Sequence, residues 1–147
     1  MANFAYNISK GEIKNYCRLA AANDALILVP LETSGIQADA SLMVYTTLSA
    51  LLAASNNEQT TIGRKTITSV TITVDNVNNR TDVDFADPVW ASATGNNISD
   101  LVVCYDPDTT AGTDTTVIPL THHDFSIAPN GTDITGEVTT GGFARFQ

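Results

Sequence analysis

Residues 25–31 form an unbroken apolar run, too short for a buried helix and rich in strand formers, which predicts a strand covered on both faces. Pro30 lacks a ladder donor, so that strand is expected to end or meet a sheet edge there. Leu48, Leu51 and Leu52 recur at helical spacing, with Asp39 a candidate start of helical geometry upstream. One short helix over about 46–54 follows, stopped by Asn56-Asn57. The period then becomes two: Val70, Ile72 and Val74 alternate with threonines. Ile67 is out of phase, which predicts a bulge or twist near Thr68-Ser69. Residues 75–79 read as a turn, and residues 80–85 return with Val83 and Phe85 inward and Arg80, Asp82 and Asp84 outward. Strands are also expected at 89–93, at 98–105 as a central strand buried on both faces, and at 116–121. Asn130-Gly131 marks a further hairpin. Residues 3–24 show no clean period, although Ile13, Cys17 and Leu19 could line one side of an extended segment.

The pattern predicts a mainly β chain: an antiparallel sandwich or barrel of about six to nine strands with one short helix. At 147 residues it fits a single domain, with residues 1–24 a candidate assembly arm. No apolar stretch approaches the ~20 residues of a membrane span, and the N-terminus lacks the pattern of a signal peptide. Charged residues make up only 16% of the chain, and threonine and asparagine fill the polar positions instead, a surface suited to contact with neighbouring subunits. The net charge is −9, and residues 81–144 contain no lysine or arginine at all. Such a field repels polyanions, so nucleic acid is excluded as a partner.

Few residue groups invite chemistry. His122-His123-Asp124 has metal-ligand types, but adjacent strand residues point to opposite faces, which favours one packed inward and the other at the surface. Asp82 and Asp84 share a strand face, where Arg80 would keep both ionised. The acidic loop 106–114 fails the calcium-loop register: its sixth position is Ala111 and its twelfth Val117. Gly63-Arg-Lys-Thr lacks the Gly-Lys pair of a phosphate loop. Cys17 and Cys104 lack metal-ligand spacing; a disulfide between them is conceivable, and Cys104 in its apolar run reads as a small buried hydrophobe. No catalytic residue, metal or cofactor is assigned, and no enzyme is expected. The aromatics near the ends, Phe4, Tyr6, Phe143 and Phe146, are candidate interface anchors, or else they close the core.

The segments Asn23-Asp-Ala-Leu-Ile-Leu-Val-Pro-Leu-Glu, Ala38-Asp-Ala-Ser-Leu, Leu48-Ser-Ala-Leu-Leu-Ala, Gly63-Arg-Lys-Thr, Asp87-Pro-Val-Trp, Asp100-Leu-Val-Val-Cys-Tyr and Pro119-Leu-Thr-His-His-Asp-Phe span roughly residues 23–126. Together they resemble a family of small virion structural proteins of tailed bacteriophages. The resemblance implies a non-enzymatic particle component without a cofactor, made in the host cytoplasm and located on the virion. The expectation is a capsid decoration or cement protein on the head surface, a homo-oligomer with a trimer favoured, bound to the major capsid protein. The alternatives are a minor tail or baseplate protein, and a host-surface carbohydrate-binding β-sandwich presenting Trp90, Tyr45 or Tyr105 in a groove.

Overall fold

The computed structural model describes residues 2–139 and 141–147. Ten strands and three short helices are found among them, the helices all before β3. In chain order these are β1 (Phe4–Ala5), α1 (Ile13–Tyr16), β2 (Ala25–Glu32), α2 (Asp39–Leu42), α3 (Leu48–Ala53), β3 (Lys65–Ile67), β4 (Thr71–Asp75), β5 (Arg80–Asp84), β6 (Val89–Trp90), β7 (Ile98–Asp106), β8 (Ile118–Ile127), β9 (Ile134–Thr135) and β10 (Ala144–Phe146). They build an antiparallel, sandwich-like arrangement that does not close into a barrel. A five-stranded sheet runs β1-β8-β7-β2-β3, a three-stranded sheet runs β10-β5-β4, and β6 pairs with β9.

The two apolar runs become neighbours. Strand β2 pairs with β7 from Ala25↔Asp106 to Glu32↔Ile98, and both are buried along most of their length. Because strand side chains alternate, one face presents Leu26, Leu28, Leu101 and Val103 and the other presents Ile27, Val29, Val102 and Cys104. The first face packs with Ile13 and Cys17, with Val83 and Phe85 of the β5 region, and with Trp90. The second is covered by Leu48 and Leu51 of α3 and by Tyr6. Thr47 caps α3, its Oγ1 accepting from the Ala50 N–H at 3.2 Å. Beyond the helix the buried Asn56 side chain donates to the Leu51 carbonyl at 2.8 Å and accepts from the Gln37 N–H at 2.9 Å.

Several local expectations are corrected. Of the two outcomes expected at Pro30, the strand does not end there, since Pro30 lies inside β2 paired with Leu101, but it does meet an edge on its other side. The proline is tolerated because β3 has already left at Leu28, and the Pro30 carbonyl accepts from the Gln59 N–H at 2.9 Å on that side. One helix becomes three: α2 begins at Asp39, and Ile13 and Cys17 are buried by a helical turn, not by an extended segment. The missed sign was their separation by four. The phase break at Thr68-Ser69 is the crossing from one sheet to another, since β3 belongs with β2 and β4 with β5. The strand expected at 89–93 stops at Trp90. Asn130-Gly131 does not link two paired strands, because β9 pairs with β6 rather than β8. The two cysteines are free and buried on opposite faces of the five-stranded sheet.

Conserving charge geometry matters as well as apolar burial. Arg64 clamps two carboxylates from distant segments, reaching Glu58 at 2.8 and 2.7 Å and Asp114 at 2.6 and 2.9 Å. The preceding Gly63 carbonyl accepts from Trp90 Nε1–H at 2.9 Å, and Lys65 Nζ sits 5.9 Å from the Trp90 ring.

Strand β10 is brought onto β5 by a turn at Gly142, whose φ is +71° and where an added Cβ would collide with the Val83 carbonyl. Gly131 has φ +91° with open space around it. Gly131→Ala should therefore cost only the left-handed penalty, about 1–2 kcal/mol, whereas Gly142→Ala should cost about 2 kcal/mol more because backbone must also shift. Urea unfolding of the two variants against the parent measures that gap.

Candidate functional site: the cleft between the terminal strands

Strands β1 and β10 each lie at an edge of their own sheet, and a cleft of about 390 Å³ opens between them. Phe4 and Ala5 of β1, Thr121, His122 and His123 of β8, and residues 143–146 line it. A second cleft of about 310 Å³ continues from it, sharing Asn3, His123 and Phe143 and adding Phe85, Leu101, Val103 and Phe125. Three of the four terminal aromatics thus reach one cleft. Phe4 and Phe143 and Phe146 are each half-buried against the chain's own clusters. Tyr6 is fully buried within its own chain. The segment 2–24 also packs on its own chain, with Ser9 Oγ donating to the Leu120 carbonyl at 2.8 Å and Ile13 and Cys17 in the core.

The histidine pair divides between faces as strand geometry requires, but both rings are largely removed from solvent. His122 pairs with Phe4 in register, and the two rings stack at 4.6 Å and 6°. Its Nε2 lies 3.2 Å from Asp100 Oδ1, with both residues essentially unexposed. Ser99 and Ala2 approach the pair, yet neither ring nitrogen nor either carboxylate oxygen closes a hydrogen bond within the described chain. Burial drives both towards neutrality: the Asp100 carboxyl is pushed up and the His122 imidazole down, in each case chiefly by desolvation. The nearby Tyr6 hydroxyl is likewise buried without a partner, and desolvation raises it too.

His123 faces the cleft. Its Nε2 lies 2.8 Å from Thr121 Oγ1, and desolvation followed by the neighbouring His122 pushes it down to about 4. A neutral imidazole beside a hydroxyl can accept or donate one hydrogen bond in an apolar wall. No group of three or more metal-ligating side chains occurs among the described residues.

The other sequence candidates are held by local structure. Asp82 takes Arg145 at 2.6 Å and Arg80 at 3.2 Å, and the hydrogen bond from Arg145, ahead of the charge of Arg80, keeps its carboxyl below the usual range. Asp84 accepts from the Phe85 N–H at 2.8 Å. In the loop 106–114, Asp106 and Asp108 accept from backbone N–H groups within the turn and Asp114 belongs to the Arg64 clamp. Trp90, Tyr45 and Tyr105 share no groove: Trp90 is buried, Tyr45 packs on one face of the main sheet and Tyr105 on the other. Sequence reasoning missed Arg145, Thr121 and Asp100 as partners in these clusters. Arg145 lay in an unassigned tail, and Asp100 was masked by the apolar residues following it.

Compared with protein-family models, curated proteins and solved structures, the chain has no significant match.

The pH response of His123 is testable. Its proton affinity is below that of the unfolded chain, so the unfolded state binds more protons between pH 6.5 and about 4. The stability this contributes is complete above 6.5 and is lost as pH falls towards 4. The full shift corresponds to roughly 3 kcal/mol, which partial exposure reduces to about 1–2 kcal/mol. Denaturation at pH 7 and pH 4.5 should show His123→Gln losing less stability on acidification than the parent by that amount. Asp100, whose raised proton affinity acts with the opposite sign, is common to both and cancels.

Proposed function

We propose that this protein is a non-enzymatic structural component of a tailed-bacteriophage particle, acting as a decoration or cement subunit on the outside of the head. The observation that carries the reading is that the two terminal strands, with Phe4, Phe143 and Phe146, meet at one open cleft on adjacent sheet edges. Aromatic groups half-covered by their own chain gain most from a neighbour that completes their burial. The motif resemblance described above supplies the particle. Interfaces of standard size add apolar burial at about 25 cal/mol per Å², enough for many weak contacts to reinforce a shell together. The acidic surface keeps the subunit from the packaged nucleic acid.

A minor tail or baseplate role draws on the same resemblance and is separated by stoichiometry. Purified protein mixed with emptied heads should bind saturably at high copy number, and Phe146→Ala should weaken that binding several-fold while leaving the thermal midpoint within a few degrees. Failure to bind heads, with recovery in the tail fraction, would move the protein to the tail. Absence from both fractions would end the virion reading.

A further inference from the structure

Strand β4 is the longest of the strands at the sheet edges: five residues, against two for β1 and three each for β3 and β10. Lys65 interrupts β3 and Arg145 interrupts β10, but β4 carries neither lysine nor proline, the usual protections of an open edge. Among the described residues its backbone is hydrogen-bonded only to β5. Apolar side chains gather beside it: Val74 is 59% exposed and Val77, at the adjoining turn, 90%. We infer that β4 pairs antiparallel with β4 of a second copy, about a two-fold axis at Thr73, to join two three-stranded sheets into one of six.

Register and charge both select this occupant. Centring on Thr73 sets Ile72 opposite Val74 of the partner and Val74 opposite its Ile72, so apolar residues meet on the inner face. On the outer face Thr73 meets Thr73, and Asp75 meets Thr71. Centring on Asp75 would set two carboxylates directly opposite. On the outer face Arg80 pairs with Asp75 and Asp82 at 3.3 and 3.2 Å, and Arg145 pairs with Asp82, which leaves Asp84 as the one carboxylate of that face outside these ion pairs. In a chain of net charge −9, this sheet therefore approaches its own copy with little repulsion. A shallow hollow at the turn end of this edge is lined by Val74, Thr81 and Phe146 together with the polar Asp75, Asn76, Asn79 and Arg80. An isologous contact of this kind closes on two copies, so it links subunits, or whole trimers, in pairs and does not itself build a three-fold ring.

The inference extends the assembly reading but fails separately from it. Light scattering on the full chain across concentration should show a reversible dimer. Val74→Lys should weaken dimerisation at least ten-fold, and Val44→Lys, at a surface 58% exposed elsewhere, should not. Register is read by disulfide trapping, for which the native Cys17 and Cys104 are buried and serve as background. Thr73→Cys should cross-link to itself under mild oxidation. Thr71→Cys alone should not, yet it should cross-link when mixed with Asp75→Cys. A chain that stays monomeric at millimolar concentration, equal trapping at 71 and 73, or equal loss with Val44→Lys would overturn the pairing. A monomer that still saturates heads sinks the pairing alone; a dimer that ignores both heads and tails sinks the virion reading alone.

Discussion

The pairing of β2 with β7 is the constraint on which the rest of this structure depends. Both strands are buried on both faces, so their backbone groups have no water to fall back on and must satisfy one another along the ladder. Side-chain alternation then forces two apolar clusters, and each uses residues of the same two strands. Leu28 and Val103 serve one cluster, while Val29 and Val102 serve the other. Neither face can be completed without fixing the register that completes the other. A one-residue slip would move Leu26 and Leu28 beneath α3 and Ile27 and Val29 against β5, with the side-chain shapes no longer fitting either cluster.

That rigidity explains how the fold carries Asp100 and His122 in a sheet interior. A buried acid and imidazole are costly unless they face each other, and removing one partner is worse than never having had the pair. Asp100 stands opposite Leu31 on one side and Asp124 on the other, and a register irregularity sits between Ile98 and Asp100. His122 pairs with Val102 on the neighbouring strand, so the two polar groups meet diagonally on the face covered by Tyr6 and α3. Phe4 then stacks over His122, which makes the first strand the cover of the buried pair as well as the edge of the cleft. The N-terminal segment is thereby tied to the polar interior, and its aromatic spacing follows from what it covers.

What was legible in the sequence follows from the range of the forces involved. The apolar runs at β2 and β7, the period of two through β4 and β5, and the leucines of α3 are statements about burial, and burial is written residue by residue. Val83 and Phe85 are buried and Arg80, Asp82 and Asp84 partly exposed, as alternation required. Sheet membership is not written that way: nothing local tells that β3 and β4, a few residues apart, belong to different sheets, or that β9 joins β6. Pro30 left open whether the strand ends or meets an edge, because a missing donor matters only on the side where a partner strand runs, and that side is set by where β3 ends. The site fared worse than the fold. Arg64 with Asp114, or Asp82 with Arg145, are long-range pairs between segments that look like unrelated charged loops.

The lopsided charge of the chain has a similarly structural origin. The main sheet interleaves the two halves of the sequence, with β8 and β7 of the acidic half lying between β1 and β2 of the first half. Many of the acidic half's carboxylates have local work: Asp84, Asp87, Asp106, Asp108 and Asp133 each accept a backbone N–H in a turn or strand end. Lysine and arginine have no acceptor and cannot fill those five positions. Asparagine could, and does so at Asn130 for the Thr132 N–H. The use of aspartate where asparagine would satisfy the same bond is thus what leaves the surface acidic. That residue of charge bears on how the chain meets its neighbours: repulsion between copies is weakest where arginines offset carboxylates, as Arg80 and Arg145 do for Asp75 and Asp82 on the outer face of β4 and β5.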